Sequence, residues 1–369
     1  MSTDLQLISL AWAGWMWAQF WQVSLLIVLI ALADRAVRPL RWPQLRLALW
    51  MLVVVKLLLP PQLVSPLGLS ARWFDEEALP LVVANLFALL RPLADWLSFG
   101  DRAWSGQVLT LPRVATASFL LWLFGLLTIG ASFVWRSRQL AQRWNSDRRE
   151  FEPPAWLCEL IAETAQRVGL SAPPPVVLTA RVGSPAVFGL FRATLLVPLS
   201  LIQRGPSRDL KYMLLHELMH IQRRDLPLQF LTLLVQMLYW FHPLIYLVRS
   251  RTYGLREICC DASVAARLRT ETPAYRETLV RAIQNLLGRS AADAPIHALG
   301  LFDATDNMAE RLRHLRDDAW RWHRARSHGA LALSVIPLLT IVPMGLPHPE
   351  ECCPFENCTN AACIASRGE

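Results

Sequence analysis

Long apolar stretches dominate the hydrophobic pattern of this chain. A helix needs roughly 20 apolar residues to cross a bilayer. Four stretches reach that length, at about residues 8–33, 47–64, 114–135 and 329–346. The first could instead be a signal peptide, although it lacks a basic start and a small-residue cleavage site. The pattern predicts a multi-pass α-helical membrane protein.

Arginine clusters beside these stretches predict their orientation. The clusters lie at residues 35–46, 136–149 and 311–326. Because cytoplasmic loops of membrane proteins are enriched in Lys and Arg, we expect all three on the cytoplasmic side. The loop at about 65–113 and the acidic tail at 348–369 are then outside, and so are both termini.

The predicted spans divide the chain into domains. Residues 1–135 hold three spans and the outer loop, 136–327 form a soluble segment, 328–347 form the fourth span and 348–369 form the tail. Within the soluble segment, helical spacing and β-rich runs predict helices at about 156–168, 209–224, 251–268, 273–287 and 308–322, and strands at 176–178 and 194–197. The soluble segment is therefore expected to be a mostly helical α+β domain.

Composition supports a membrane protein. Hydrophobic residues make up 54% of the chain and charged residues 18%, where soluble domains average about 25% charged. These figures exclude a disordered chain and a coiled coil. The net charge of +8 could suggest nucleic-acid binding, but the basic residues are almost all arginines in the predicted loops. We expect membrane lipid as a partner and no direct nucleic-acid contact.

A metal-binding motif lies on the helix predicted at 209–224. His216-Glu217-Leu218-Met219-His220 places two histidines four residues apart, on one helical face, where they can chelate one ion. Neutral imidazoles suit Zn²⁺, and a glutamate beside the first histidine can act as general base on a zinc-bound water. The alternative is a helix with two solvated or core histidines. The motif favours a zinc metallopeptidase with one zinc ion and Glu217 as the catalytic residue.

A catalytic zinc needs a third protein ligand and keeps one open position. Glu257, on a later predicted helix, is the best candidate, and Asp261 one turn further on can support a zinc-bound histidine. Cys259 and Cys260 are rivals that fit a buried core better. His242 is another rival, although the aromatic run before it suggests a membrane-interface anchor.

The uncharged stretch at 226–248 separates the motif from Glu257 and would score as a fifth span. A single crossing would place His216 and Glu257 on opposite sides of the membrane, where they could not share a metal. We therefore expect this stretch to re-enter the membrane, to lie in the interface or to pack inside the protein.

The cysteines fall into two groups. Three lie in the predicted cytoplasmic segment, where thiols stay reduced, and four lie in the external tail; the tail cysteines are Cys352, Cys353, Cys358 and Cys363. Neighbouring cysteines rarely bond each other, so two disulfide pairings are realistic. A metal-binding tail that uses these thiols and His348 is the alternative.

The motif and its surroundings resemble the BlaR/MecR-type transmembrane zinc peptidases, the antirepressor family of bacterial β-lactam sensing. The matching stretches are 184–192, 216–225, 240–243, 257–261 and 311–312, and the resemblance covers about residues 1–345. It implies His216, His220 and Glu257 as zinc ligands, Glu217 as catalyst and a gluzincin-like peptidase domain. Asp225, which ends the second matching stretch, is a further candidate for supporting a histidine.

The resemblance also implies a signal-regulated endopeptidase of the bacterial inner membrane, with its peptidase domain in the cytoplasm. Its expected substrates are the protein itself or a dimeric winged-helix repressor; a homodimer is left open. The stretch at about 288–307 is rich in Ala, Gly and Asp and lies between two predicted helices, so we expect self-cleavage there, with the stretch presented as an extended strand. β-Lactam sensors carry a penicillin-binding domain after the last span, whereas about 22 residues without a Ser-x-x-Lys motif follow here. Direct β-lactam acylation is therefore not expected. Alternative functions are membrane quality control, or non-catalytic signalling with a structural metal site.

Overall fold

The described part of the chain consists of helices and one small sheet. The computed structural model describes residues 3–40, 42–59, 111–190, 192–203, 205–287 and 301–316. Apart from Leu59, these residues belong to one compact unit. The predicted fourth span, the tail and most of the predicted outer loop lie outside the described residues.

Helices make up most of the described chain, and three short strands make up the sheet. The helices are α1 (Thr3–Val37), α2 (Pro43–Leu58), α3 (Leu111–Glu150), α4 (Ala155–Val168), α5 (Leu199–Ile202), α6 (Arg208–Gln222), α7 (Asp225–Leu238), α8 (Pro243–Leu268), α9 (Thr272–Leu287) and α10 (Leu301–Arg316). The strands are β1 (Val176–Thr179), β2 (Ala186–Phe188) and β3 (Thr194–Pro198). The prediction of a mostly helical fold is confirmed.

Two described helical regions are long and apolar enough to cross a membrane, at 4–40 and 113–150. They contain the first and third predicted spans. The second predicted span corresponds to α2, whose 16 residues end next to the undescribed part of the chain. The expected multi-pass topology therefore stays a prediction.

The uncharged stretch at 226–248 does not form one continuous helix. Helix α7 ends at Leu238, a turn follows, and α8 begins at Pro243. In the turn, the Tyr239 hydroxyl donates to a backbone carbonyl of α2, and the Trp240 indole donates to one of α3. His242 lies against Phe20 of α1, with ring centres 4.6 Å apart. The chain thus reverses inside the protein, packed against α1, α2 and α3.

The sheet has the order β1-β3-β2, with β1 parallel and β2 antiparallel to β3. The strands predicted at 176–178 and 194–197 are confirmed, whereas β2 was not predicted. It has three residues and ends at Phe188. Gly189 follows it with a φ of +107°, which favours glycine, and a Cβ there would clash with the Arg192 carbonyl. So short a strand has too few residues to display a period of two.

The helices predicted within the soluble segment agree with the structure to within about two residues, except at two starts. α8 begins at Pro243 rather than near residue 251. Proline is tolerated in the first turn of a helix, because the N–H groups there have no partner within the helix. α10 begins at Leu301 rather than near residue 308. Residues 301–307 are therefore helical and not extended, which corrects the expectation for the self-cleavage stretch; its remaining residues lie outside the described chain.

Candidate metal centre

Helix α6 carries the His-Glu-x-x-His motif and is held on two sides. The Ser207 hydroxyl caps its start by accepting a hydrogen bond from the Leu210 N–H, at 3.2 Å. Leu210 and Leu214 pack against α4 and the sheet. Leu215 and Met219 pack into a second core with α8 and α9. Because both flanks are buried, the two motif histidines have fixed positions facing α8.

Three donor groups converge between α6 and α8. The Nε2 atoms of His216 and His220 are 3.2 Å apart. The Glu257 carboxylate approaches both, with one oxygen 3.3 Å from the His216 Nε2 and the other 3.5 Å from the His220 Nε2. Tetrahedral zinc, with bonds of about 2.0–2.1 Å, requires donors roughly 3.3 Å apart. The spacing of these three groups therefore matches what a zinc ion with three protein ligands would need.

The other ring nitrogen of His216 is held by two partners. The Tyr275 hydroxyl lies 2.8 Å from the His216 Nδ1 and donates a 2.6 Å hydrogen bond to Asp261. Asp261 is itself 3.2 Å from the same Nδ1. Because the tyrosine proton goes to Asp261, the Nδ1 of His216 donates, and its Nε2 keeps a lone pair for the metal.

His220 is held in the same way by a different carboxylate. Its Nδ1 lies 2.7 Å from Asp225, which also accepts a 3.1 Å hydrogen bond from Arg223. Arg224 adopts a left-handed backbone with a φ of 59°, and α7 starts at the next residue. This turn brings Asp225 back toward a histidine only five positions earlier in the chain.

Arg311 of α10 closes the site from a third direction. Its guanidinium donates two hydrogen bonds to Asp261, at 2.6 and 3.0 Å, and lies 3.6 Å from Glu257. The sequence singled out Arg311 only through the family resemblance, and it did not single out Tyr275 at all. A tyrosine or arginine on an ordinary helix has no local signal that marks its partner.

Cys260 is the main rival ligand, whereas Cys259 and His242 have other partners. The Cys260 thiol and both histidines could also hold an ion, since their donor atoms lie within 4.8 Å of one another. Its sulfur, however, is 3.8 Å from the His216 Nδ1, the nitrogen that Tyr275 and Asp261 already engage. Glu257 reaches both Nε2 atoms and is the better third donor. His242 contacts α1 instead, and the buried Cys259 thiol lies against Arg223.

The pKa values of the two glutamates are shifted in opposite directions. Burial raises the pKa of Glu257, but the charges of His220 and Arg311 and the hydrogen bonds of both histidines outweigh it, so the pKa lies well below its usual value. Glu257 is therefore a carboxylate suited to a cation. Burial raises the pKa of Glu217, and the histidine charges offset only part of that increase. A raised pKa suits a general base that works near neutral pH.

The chain is similar to several known proteins. A family model described as BlaR1 peptidase M56 matches residues 16–315. A methicillin resistance mecR1 protein of Staphylococcus aureus is 26% identical over 176 residues, 47% of this chain and 30% of that protein. A regulatory protein BlaR1 of Bacillus licheniformis is 33% identical over 85 residues, 23% of this chain and 14% of that protein.

These alignments cover less than a third of the relatives' own length. The family match, by contrast, includes the motif helix, α8 and α10. The resemblance inferred from the motif is thus confirmed over most of the chain. The chain belongs to the BlaR1 peptidase M56 family.

Proposed function

We propose that the chain is a membrane-embedded, zinc-dependent endopeptidase whose metal ligands are His216, His220 and Glu257. The observation that carries the proposal is the donor triangle, with separations of 3.2, 3.3 and 3.5 Å. Its size suits tetrahedral zinc and its three protein ligands leave room for a reacting molecule. A purely structural zinc site has four protein ligands and does not require a general base beside it.

In the proposed mechanism, Glu217 moves the proton. A bound zinc ion supplies Lewis acidity, which activates water and polarises the scissile carbonyl. Glu217 accepts a proton from the attacking water and passes it to the departing amide nitrogen. Asp225 and Asp261 hold the two histidine rings with Nε2 toward Glu257.

Regulation of the activity is part of the same proposal. The relatives carry the names of a regulatory protein and of a methicillin resistance protein. We place the peptidase domain on the cytoplasmic side of the inner membrane, in a multi-pass chain that an external signal controls. Its substrates are the chain itself, cut within residues 288–300, and a winged-helix repressor. A repressor gene beside this one would support the second substrate, whereas membrane quality control predicts no such neighbour.

Glu217→Gln tests the catalytic assignment. The amide still accepts a hydrogen bond but cannot take a proton, so cleavage should fall by about 10²–10⁴-fold or more while zinc is retained. The measurement is zinc content and fragment pattern of the full chain in membranes. Glu159→Gln, at an exposed glutamate on α4, is the matched control and should behave like the wild type. Undiminished cleavage by Glu217→Gln with zinc bound would refute the assignment.

A further inference from the structure

Two adjacent residues of α10, Glu310 and Arg311, reach in different directions. Arg311 contacts Asp261 and Glu257 at the proposed metal centre. Glu310 contacts Arg46 of α2, with a guanidinium nitrogen 2.6 Å from its carboxylate. Helix α10 therefore connects the α1–α2 pair directly with the residues that surround the metal site.

Arg46 anchors the outer end of this connection. Its side chain is 2% exposed, and it pairs with Asp34 of α1 at 2.5 Å as well as with Glu310. Arg38 adds a weaker contact to Glu310, at 3.6 Å. A buried guanidinium cannot give up a carboxylate to water at low cost, so α10 must follow α1 and α2 if they move.

Arg311 anchors the inner end. Its two hydrogen bonds to Asp261 are bidentate, which fixes orientation as well as distance. Asp261 is fully buried and also accepts from Tyr275, the partner of His216. Moving Arg311 would therefore disturb the support of one proposed ligand, His216, and the surroundings of another, Glu257.

We infer that Arg46, Glu310 and Arg311 are positioning residues that couple the α1–α2 pair to the metal centre. The inference rests on the proposed zinc site and extends it. None of Arg46, Asp34 and Glu310 touches a proposed ligand. Their ion pairs nevertheless fix the position of α10 and therefore of Arg311, which contacts Asp261 and Glu257. A change in the membrane part of the protein can thus reach the peptidase site through this helix, beside the direct packing of α2 on α8.

The test is the zinc affinity of the purified full chain, measured by competition with a chelating dye. The triple variant Asp34→Asn, Arg46→Met, Glu310→Gln removes the ion pairs without leaving a charge buried alone. We expect it to bind zinc about 2- to 30-fold more weakly, the span typical of substitutions that modulate coupling between sites. Arg311→Lys, which loses the bidentate contact, should weaken binding as well.

Non-additivity distinguishes coupling from a general loss of stability. We combine the triple variant with Arg311→Lys. If the triple variant acts through Arg311, the combined variant should bind zinc no more weakly than the weaker binder of the two separate variants. Arg281→Gln, which breaks the exposed ion pair with Asp209, is the control and should leave the affinity unchanged. Should the triple variant not fold, Glu310→Gln alone replaces it.

Two results would overturn the inference. In the first, the triple variant or Glu310→Gln folds and unfolds at a lower temperature, but its zinc affinity equals that of the wild type. The ion pairs would then stabilise the fold without affecting the metal site. The other is simple additivity with Arg311→Lys. A wild-type chain that binds no zinc would instead refute the proposed function, so the two failures are distinguishable.

Discussion

Individual residues at the candidate metal centre form hydrogen-bonded sets. Each motif histidine is held through its Nδ1 by a carboxylate, Asp261 for His216 and Asp225 for His220. Partners of this kind fix the ring and its tautomer, and they strengthen metal binding. The two carboxylates come from different helices, so the tertiary fold presents both Nε2 atoms on the same side, toward Glu257.

Substitution at Glu257 and Cys260 separates the two candidate third ligands. Glu257→Ala should lose zinc, as should His216→Ala, because each removes one of three protein ligands. Cys260→Ser should keep zinc, since its sulfur lies on the Nδ1 side of His216. Zinc content of each purified variant checks this. If Cys260→Ser lost zinc and Glu257→Ala kept it with unchanged affinity, the third ligand would be Cys260.

At the scale of elements, α3 extends far beyond the span that hydropathy predicts. Its 40 residues measure about 60 Å, twice the thickness of a bilayer core. The far end docks on the sheet, where Asp147 accepts a 2.6 Å hydrogen bond from Thr179 and the Trp144 ring packs edge-on against Phe188. The arginine-rich region at 136–149, expected as a loop, is therefore a continuous helix joined to the sheet.

Acid should weaken the attachment of α10 to α2. Burial raises the pKa of Glu310, but its hydrogen bond with Arg46 and that arginine's charge outweigh burial and hold the pKa below its usual value. The stability it contributes is thus present above the ordinary glutamate pKa of about 4.3 and is lost as pH falls through the lower, folded value. The unfolding temperature should fall more steeply between pH 5 and 3 in the wild type than in Glu310→Gln. Parallel curves would contradict this.

At the scale of the whole molecule, orientation is the main prediction. A reporter fused after Arg149 should be cytoplasmic and one fused after Glu369 external, because the arginine clusters favour the inside. The measurement is the activity of paired reporters that function on only one side of the membrane. A reporter after Arg149 that is active only outside would reverse the orientation.

The tail provides an independent measure of sidedness. Its four cysteines, at 352, 353, 358 and 363, should form two disulfides in an oxidising compartment. A thiol reagent added to the unreduced protein in detergent should label Cys158, which is free and exposed, and miss the tail. Full labelling of the tail would favour a reduced, metal-binding segment.

Features that depend on neighbouring residues along the chain were predictable from the sequence. Apolar periodicity located α4, α6 and α9 to within a residue or two, and the spacing of His216 and His220 on one helical turn identified the metal motif. Glu257 could be proposed because a zinc site needs a third ligand. Its role, with those of the motif residues, stays a prediction that the close approach of these groups supports.

Contacts between side chains that are distant in sequence became known from the tertiary structure alone. Tyr275 lies 59 residues from His216, and Arg311 lies 50 residues from Asp261. No periodicity encodes such pairs, because they depend on how α8, α9 and α10 pack together around α6. The reversal at 239–242 has the same origin: apolar composition makes a stretch suitable for burial, and only packing against α1, α2 and α3 turns it back.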